Sequence, residues 1–239
     1  MDVQQDQHSA QTPIGQRKRL HDFPANLLSA LKAGDDRHFV RQALGELQRG
    51  TIRFQRDNVI VAEGDAADYI FIVDSGVVRN CKVFEDGTRS VVAFHLPGDV
   101  FGWSDQTYGL SAEAATDATV AFVKRKTLAS VAARESHLAS ILFDSATNEL
   151  RRAQRHGLLL GRSAKSRVAM FLTDLSKRSG KSRIVELPMS HRDIADHLGL
   201  TIETLSRTIT ELERSGLIAR ASPRTLMVRN NCSLLRLME

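Results

Sequence analysis

Four residues between positions 203 and 210 have side chains that form hydrogen bonds, and their spacing places them on one face of a helix. Glu203, Ser206, Arg207 and Thr210 recur at i, i+3, i+4 and i+7, which is the spacing of a single helical face. Carboxylate, hydroxyl and guanidinium groups can pair with the donors and acceptors that base edges present in the major groove. The chemistry that this face offers is recognition of DNA.

The flanking residues predict the two helices that such a face needs. Ser190 and Asp193 form a capping-box-like start to a first helix, and Gly199 breaks the run where a short turn is required. Thr201 is a good N-cap for a second helix that ends near Gly216. Apolar residues of that second helix recur at i, i+4 and i+7 and are expected in the core: Leu205, Ile209 and Leu212. This is the helix-turn-helix arrangement, whose second helix enters the major groove.

Amphipathic helix pairs are common and a charged outer face is usually only solvated, but two further features favour DNA binding. Residues 217–231 contain two short β-prone runs around a Pro-containing turn with Arg220 and Arg224, which predicts a hairpin wing. Residues 163–239 carry 13 Lys and Arg against 8 Asp and Glu, whereas residues 1–162 are balanced. The whole formal charge of +5 therefore lies in the segment with the motif, as expected for a phosphate-binding surface.

Length and composition restrict the class of protein. A chain of 239 residues with 42% hydrophobic residues is long enough for one large or two modest domains with their own cores. Neither a membrane-spanning run nor a signal peptide is recognisable, so we expect the protein in the cytoplasm and away from membranes. The two cysteines, Cys81 and Cys232, are far apart in sequence and are expected to remain plain thiols.

The pattern along the chain predicts an α+β protein in four parts. Residues 1–20 are polar and expected to be disordered. Residues 21–134 begin with short helices and continue, from Gly50 to Arg125, as short β-prone runs between turns, which favours an antiparallel β-roll of the jelly-roll type. Residues 135–162 form a long helix, and residues 163–239 form the winged helix-turn-helix.

The long helix is longer than a small barrel needs for its own packing. Its incomplete heptad-like stripe predicts dimerisation with a second copy of the chain, through Leu138, Ile141, Leu142, Leu158 and Leu159. The alternative is a core helix that lies across the barrel. A homodimer also suits a palindromic operator, because it presents two recognition helices about 34 Å apart.

The order of these parts resembles the cAMP receptor protein/FNR superfamily of transcription regulators. The resemblance covers roughly residues 25–230 and is strongest in GDVFG at 98–102, in GRSAKSRVAMFL, and in MSHRDIADHLGLTIETLSR at 189–207. Within the superfamily, SAEAATDATVAFVKR and LPMSHRDIADHLGLTIET are most similar to the FixK branch. That branch implies an activator in low-oxygen and nitrogen-fixation control, acting as a homodimer together with RNA polymerase.

The resemblance also implies which residues contact DNA. The family pattern Glu-x-x-Ser-Arg falls on Glu203, Ser206 and Arg207, and a serine before the arginine favours a TTGAT half-site over TGTGA. In such a complex Arg207 would donate to guanine O6 and N7, and Glu203 would accept from a cytosine amine. Contacts to the DNA backbone are expected from residues at helix starts and in the wing: Ser190, Arg192, Thr201, Arg220 and Arg224.

The resemblance argues against the superfamily's familiar effectors. Members that bind cyclic nucleotides have Glu after Phe-Gly and a downstream Arg-Ser pair, where this chain has Trp103 and the run SAEAA at 111–115. Two cysteines are too few for a four-cysteine iron–sulfur cluster. His95 is a conceivable heme ligand, but its turn context favours packing or hydrogen bonding. We therefore expect no cofactor and no metal.

The sequence leaves two alternative functions open. The first alternative is a regulator of the same architecture gated by an unidentified ligand. The second, much weaker, is a cupin-like enzyme fused to a DNA-binding domain, which would need several histidines where the strand region has only His95; we expect no enzyme. By resemblance, the turn with Glu85 and Asp86 is the candidate contact for RNA polymerase.

Overall fold

The computed structural model describes residues 50–180 and 183–229, together with Leu234 and Leu237. The predictions for residues 1–20, for the short helices before Gly50, and for Cys232 lie outside the described residues. Within residues 50–124, short strands follow one another at close intervals, as the turn signals indicate: β1 (Gly50–Phe54), β2 (Val59–Val61), β3 (Tyr69–Ser75), β4 (Val78–Val83), β5 (Arg89–His95), β6 (Val100–Phe101), β7 (Ser111–Ala114) and β8 (Ala118–Lys124).

These strands form two antiparallel sheets that face each other. The strand orders are β1-β8-β3-β6 and β2-β7-β4-β5. Alternating side chains of both sheets fill the space between them, among them Phe71 and Val120 from the first sheet and Val78 and Ala114 from the second. The predicted antiparallel β-roll is confirmed.

Helices follow the β-roll, and the chain ends in a small mixed unit. The helices and strands after residue 124 are α1 (Arg125–Ala132), α2 (Ser136–Leu159), α3 (Ala164–Ser179), β9 (Ile184–Glu186), α4 (His191–Leu198), α5 (Ile202–Arg214), β10 (Ile218–Ser222) and β11 (Thr225–Val228). The long helix predicted at 135–162 is α2. The predicted wing is the antiparallel pair of β10 and β11, and β9 joins β11 as a third strand.

The DNA-binding unit shares a core with the β-roll. Val91 and Phe94 of β5 lie in the same buried cluster as Leu172 of α3, Ile194 of α4 and Leu205 of α5. Burial of this apolar surface stabilises both parts together. The helix-turn-helix is therefore packed on the outer face of the second sheet. None of the helices in the described ranges is both long and apolar enough to cross a membrane.

Candidate nucleic-acid interface

The turn between α4 and α5 is built from local hydrogen bonds. The Ser190 hydroxyl accepts from the Asp193 amide at 3.1 Å, and the Thr201 hydroxyl accepts from the Thr204 amide at 3.1 Å, so both predicted N-caps are present. Gly199 has φ of 59°, a left-handed conformation that suits glycine. These caps fix the angle between the two helices.

The two faces of α5 separate as the periodicity predicts. Leu205, Ile209 and Leu212 are each at most 3% exposed. Glu203, Ser206 and Arg207 are exposed on the opposite side. Thr210 is half-buried, and its hydroxyl donates to the Ser206 carbonyl oxygen at 3.1 Å. The hydrogen-bonding face therefore contains three side chains that point to solvent, and a fourth that is turned back onto the helix.

Charge on this face is maintained by local contacts. Hydrogen bonds from its own backbone amide and from Thr201 lower the pKa of Glu203, so its carboxylate is ionised at neutral pH and accepts hydrogen bonds. Arg207 is exposed on the same face, and no ion pair or hydrogen bond joins its guanidinium to another side chain of the described residues. Both groups are thus available to an external partner.

The residues predicted to contact the DNA backbone surround this face, and they differ in exposure and in the contacts that they already make. Arg192, Thr201 and Arg224 are exposed. Arg220 Nε lies 3.0 Å from Glu213 Oε1, so part of its charge is already compensated. The Ser190 hydroxyl caps α4 and also donates to Asp193 Oδ2 at 2.6 Å, so it is already engaged at the start of the helix.

A buried ionic cluster, which we call the clamp, holds α4 against the β-roll. Asp193 Oδ1 lies 3.0 Å from Arg79 Nη1 of β4 and 2.7 Å from Arg89 Nη2 of β5. Arg89 also reaches Asp196 Oδ2 at 2.7 Å, and Arg79 reaches Glu113 Oε2 at 2.6 Å. Burial alone would raise the pKa of Asp193, but the Ser190 hydroxyl and the two guanidiniums hold that pKa below its ordinary value.

A second contact, from α3, holds the turn between α4 and α5. Arg167 of α3 donates through Nη1 to the carbonyl oxygens of Leu198 and Gly199, at 2.9 and 3.1 Å. These are carbonyls at the end of α4 that the helix itself leaves without partners. The clamp at the start of α4 and Arg167 at its end therefore fix the orientation of the helix-turn-helix.

Comparison with known proteins identifies the chain's relatives. Residues 166–237 match the Crp-like helix-turn-helix domain, and residues 51–135 match the cyclic nucleotide-binding domain. The nitrogen fixation regulation protein FixK of Azorhizobium caulinodans is 41% identical over 235 residues, which cover 94% of each chain. The chain is a FixK-like member of the Crp/FNR superfamily.

One solved structure and a second sequence relative agree with this membership. The structure of FixK2 from Bradyrhizobium japonicum matches with a TM-score of 0.75 and 40% identity, over 80% of the FixK-like chain and 97% of the other. The transcriptional activator protein FnrL of Cereibacter sphaeroides is 30% identical over 192 residues, 76% of this chain and 77% of its own. The FixK-like chain is therefore a DNA-binding transcription regulator.

The structure divides the residues predicted to form the dimer interface of the FixK-like chain. Leu138, Ile141 and Leu159 are only 3%, 6% and 5% exposed within the single chain, and Leu142 is half-buried. These positions pack α2 onto its own chain, as in the alternative of a core helix that lies across the barrel.

Leu158, by contrast, is 74% exposed. Two exposed apolar residues of α2 were missed, Phe143 at 71% and Leu150 at 58%; they recur seven residues apart, which is a readable heptad signal.

The tip of the β4–β5 hairpin carries the residues predicted to contact polymerase in the FixK-like chain. Glu85 and Asp86 are exposed. Asp86 Oδ1 accepts from the Thr88 amide at 2.9 Å, which orders the turn. Val83 and Phe84 beside them are 59% and 48% exposed. The tip is thus an ordered acidic loop with an apolar margin.

Two other residues singled out in the sequence, Cys81 and His95, are buried in the β-roll. Cys81 is fully buried, and burial, reinforced by Glu113, raises its pKa to about 11, so it is a protonated thiol. His95 is fully buried, stacks on Phe101 at 5.1 Å between ring centroids, and its ring nitrogens have no hydrogen-bond partner among the described residues. The part of the chain that the structure describes contains no cluster of three or more metal-ligating side chains.

Proposed function

We propose that this FixK-like chain binds a TTGAT-N4-ATCAA-like palindrome as a homodimer and activates transcription without cAMP. The observation that carries the proposal is the joint exposure of Glu203, Ser206 and Arg207 on the N-terminal half of α5. This is the end of a recognition helix that reaches base edges. A bidentate arginine fits guanine, and a carboxylate fits the cytosine amine.

An exposed apolar stripe on α2 supports the homodimer. Phe143, Leu150 and Leu158 lie on one side of the helix, opposite the residues that pack on the chain itself. With 24 residues, α2 extends over about 36 Å, enough for a seam with the same helix of a second copy. A stripe of large exposed apolar side chains is a common mark of an interface. The interface residues in this proposal are therefore Leu158 with Phe143 and Leu150.

Two residues support DNA binding without cAMP. Glu113, within the run where the resemblance would require an Arg-Ser pair, accepts from Arg79 Nε at 3.0 Å. A carboxylate there repels a cyclic phosphate, and Arg79 is already held by Asp193 and Asp57. The bulky Trp103 stands where the resemblance would require the ribose-binding Glu. A buried phosphate would thus lack the cationic partner that it needs.

The activator role rests on the hairpin tip and on the relatives. Glu85 and Asp86 on their ordered turn, with Phe84 beside them, form a compact surface for RNA polymerase. The relatives include nitrogen fixation regulation proteins and the transcriptional activatory protein AadR of Rhodopseudomonas palustris. We accordingly assign the chain to nitrogen-fixation and low-oxygen control, in the cytoplasm.

Fluorescence anisotropy of the purified chain, with no added ligand and at fixed salt, tests this proposal. The chain is titrated against a TTGAT-N4-ATCAA duplex, a TGTGA-type palindrome and a scrambled duplex. Tight, selective binding to the first is expected. Equal binding to all three would contradict the assigned half-site, and binding to the first only after addition of cAMP would contradict independence from it.

A second candidate function is the same regulator gated by a small molecule other than cAMP. The observation that favours it is a cavity at the junction of the β-roll, α2 and the DNA-binding unit. In that case a ligand that fills the cavity would change the affinity measured in the titration.

A further inference from the structure

A cavity of about 260 Å³ lies where four elements meet. Its walls come from β5, α2, α3 and, through His197, α4. The residues of α2 that line it include Arg152, His156 and Leu159, which lie on the side of the helix that faces its own chain. The exposed stripe with Phe143 and Leu150 is on the other side, so a second copy bound there leaves the cavity open.

The inner wall of the cavity is aromatic. Phe94, Phe171 and His197 are in mutual contact, with ring centroids 5.2 to 6.2 Å apart. His197 is neutral at physiological pH, because burial and the nearby His156 lower its pKa to about 3. Met170 and Leu175 extend the apolar surface. Such a wall favours a flat apolar group that stacks or meets the rings edge-on.

The rim of the cavity is cationic. Arg152 is paired with Glu149 at 2.7 Å, and Asp174 lies 3.4 Å from Arg178, so these two carboxylates are compensated. Arg155 and Lys177 also line the cavity. Both are exposed, and no ion pair joins either of them to another residue of the described ranges. The rim therefore has two positive charges that a ligand can satisfy.

We propose that this cavity is a binding site for a small aromatic monocarboxylate, with the ring against Phe94 and Phe171 and the carboxylate at Arg155 and Lys177. A volume of about 260 Å³ is below the range of drug-sized ligands, so the ligand has one ring. Because the site joins the β-roll to α4, the ligand stabilises the arrangement of the two. The proposal goes beyond DNA recognition, which does not require it.

Binding of phenylacetate to the full chain, observed through methionine methyl signals, tests the site. Methyl-¹³C methionine labels five positions, of which Met170 lines the cavity and Met227 lies exposed on the wing. Met170→Leu assigns the signal. Phenylacetate is expected to shift the Met170 signal saturably with a Kd of about 1 mM, typical of a ligand of this size, and to leave Met227 unchanged. Phenylacetamide, which has the same shape without the charge, is expected to bind about tenfold more weakly.

Paired variants separate the charge from the cavity. Arg155→Gln with Lys177→Gln is expected to reduce phenylacetate affinity to that of phenylacetamide. The matched control, Arg53→Gln with Lys126→Gln, removes one exposed arginine and one exposed lysine of β1 and α1 and is expected to have no effect. Absence of a saturable Met170 shift, equal affinity for the amide, or unchanged affinity of the Arg155/Lys177 variant would each overturn the proposal. The DNA titration contains no ligand, so failure of the cavity proposal leaves the proposed TTGAT-N4-ATCAA binding untouched. It removes the support only for the second, ligand-gated candidate, which rests on the same cavity.

Discussion

The Asp193 carboxylate of α4 lies 3.0 Å from the Arg79 guanidinium of β4, although the two residues are 114 positions apart. Asp193 is also the third residue of the helix that begins the helix-turn-helix, and its amide is bonded to Ser190. One side chain therefore takes part both in the start of the DNA-binding motif and in its attachment to the β-roll. Such a pair is costly to break, because the remaining charges stay buried.

Asp193→Asn should lower the free energy of unfolding by about 3–5 kcal/mol, since it leaves two guanidiniums facing a neutral amide. Urea unfolding followed by circular dichroism measures this. Asp196→Asn is the control, because Asp196 is more exposed and, among the described residues, forms an ion pair with Arg89 alone. It should cost at most about 1 kcal/mol. Equal stability of Asp193→Asn and the wild type would show that the clamp contributes nothing.

Arg207→Ala should weaken binding to the TTGAT-N4-ATCAA duplex by about 1–3 kcal/mol per half-site and relax discrimination at one base pair. Anisotropy titrations against duplexes substituted at each position locate that pair. Arg214→Ala removes an exposed arginine from the last turn of the same helix and should leave base discrimination unchanged. If Arg207→Ala discriminates every position as the wild type does, Arg207 does not read a base.

Arg192→Gln and Arg224→Gln should each reduce the slope of log K against log salt by about 0.9 for every phosphate that is no longer neutralised, without changing sequence preference. Arg220→Gln should reduce it less, because Arg220 is already paired with Glu213. Titrations at several salt concentrations measure the slopes. A slope that stays constant in all three variants would exclude these arginines as phosphate-binding residues.

Leu150→Asp with Leu158→Asp should convert a dimer into a monomer, because it places charges in an apolar seam. Sedimentation equilibrium measures the mass. Arg134→Asp, at an exposed position before α2, is the control and should remain dimeric. A dimer that survives the double substitution would place the interface elsewhere on the chain.

Stability should fall as the pH is lowered from about 7 to 5, partly through His197. Burial, with the nearby His156 and Arg178, lowers the pKa of His197 to about 3, below the ordinary value of about 6.5. The unfolded chain therefore binds a proton that the folded chain excludes, and the contribution of His197, complete above pH 6.5, is lost on acidification.

Urea midpoints measured across that pH range test this. The stability of His197→Gln should depend less on pH, by up to about 1.4 kcal/mol per pH unit. His137→Gln, at an exposed position, serves as the control. Parallel pH profiles for wild type and His197→Gln would contradict the assignment.

Local signals in the sequence were sufficient for the architecture. Ser190 and Thr201 cap the helices that they were expected to start, and Gly199 has the positive φ that a tight turn needs. These features depend on neighbours within four residues, which a single sequence displays. The wing was found for the same reason, since β10 and β11 pair across a short turn.

What the sequence did not show depends on distant residues. Arg79 and Arg89 lie on a predicted strand and hairpin, and no local pattern indicates that they meet Asp193 more than 100 residues later. The sequence could not separate the two apolar sides of α2, because Leu138 and Ile141 have the same apolar character as Phe143 and only packing within the chain decides which side is covered. The aromatic cavity could not be predicted for the same reason, because its lining comes from four elements that are separated in the sequence.

The β-roll holds every residue that absorbs strongly at 280 nm. The single Trp and the two Tyr of the chain are Trp103, Tyr69 and Tyr108, all before α1. Intrinsic fluorescence therefore reports only on the β-roll, whereas far-ultraviolet ellipticity is dominated by the helices after it. Because the two parts share a buried core, their melting curves should coincide in the wild type, and a gap between them in an Asp193 variant would give the temperature at which the DNA-binding unit detaches.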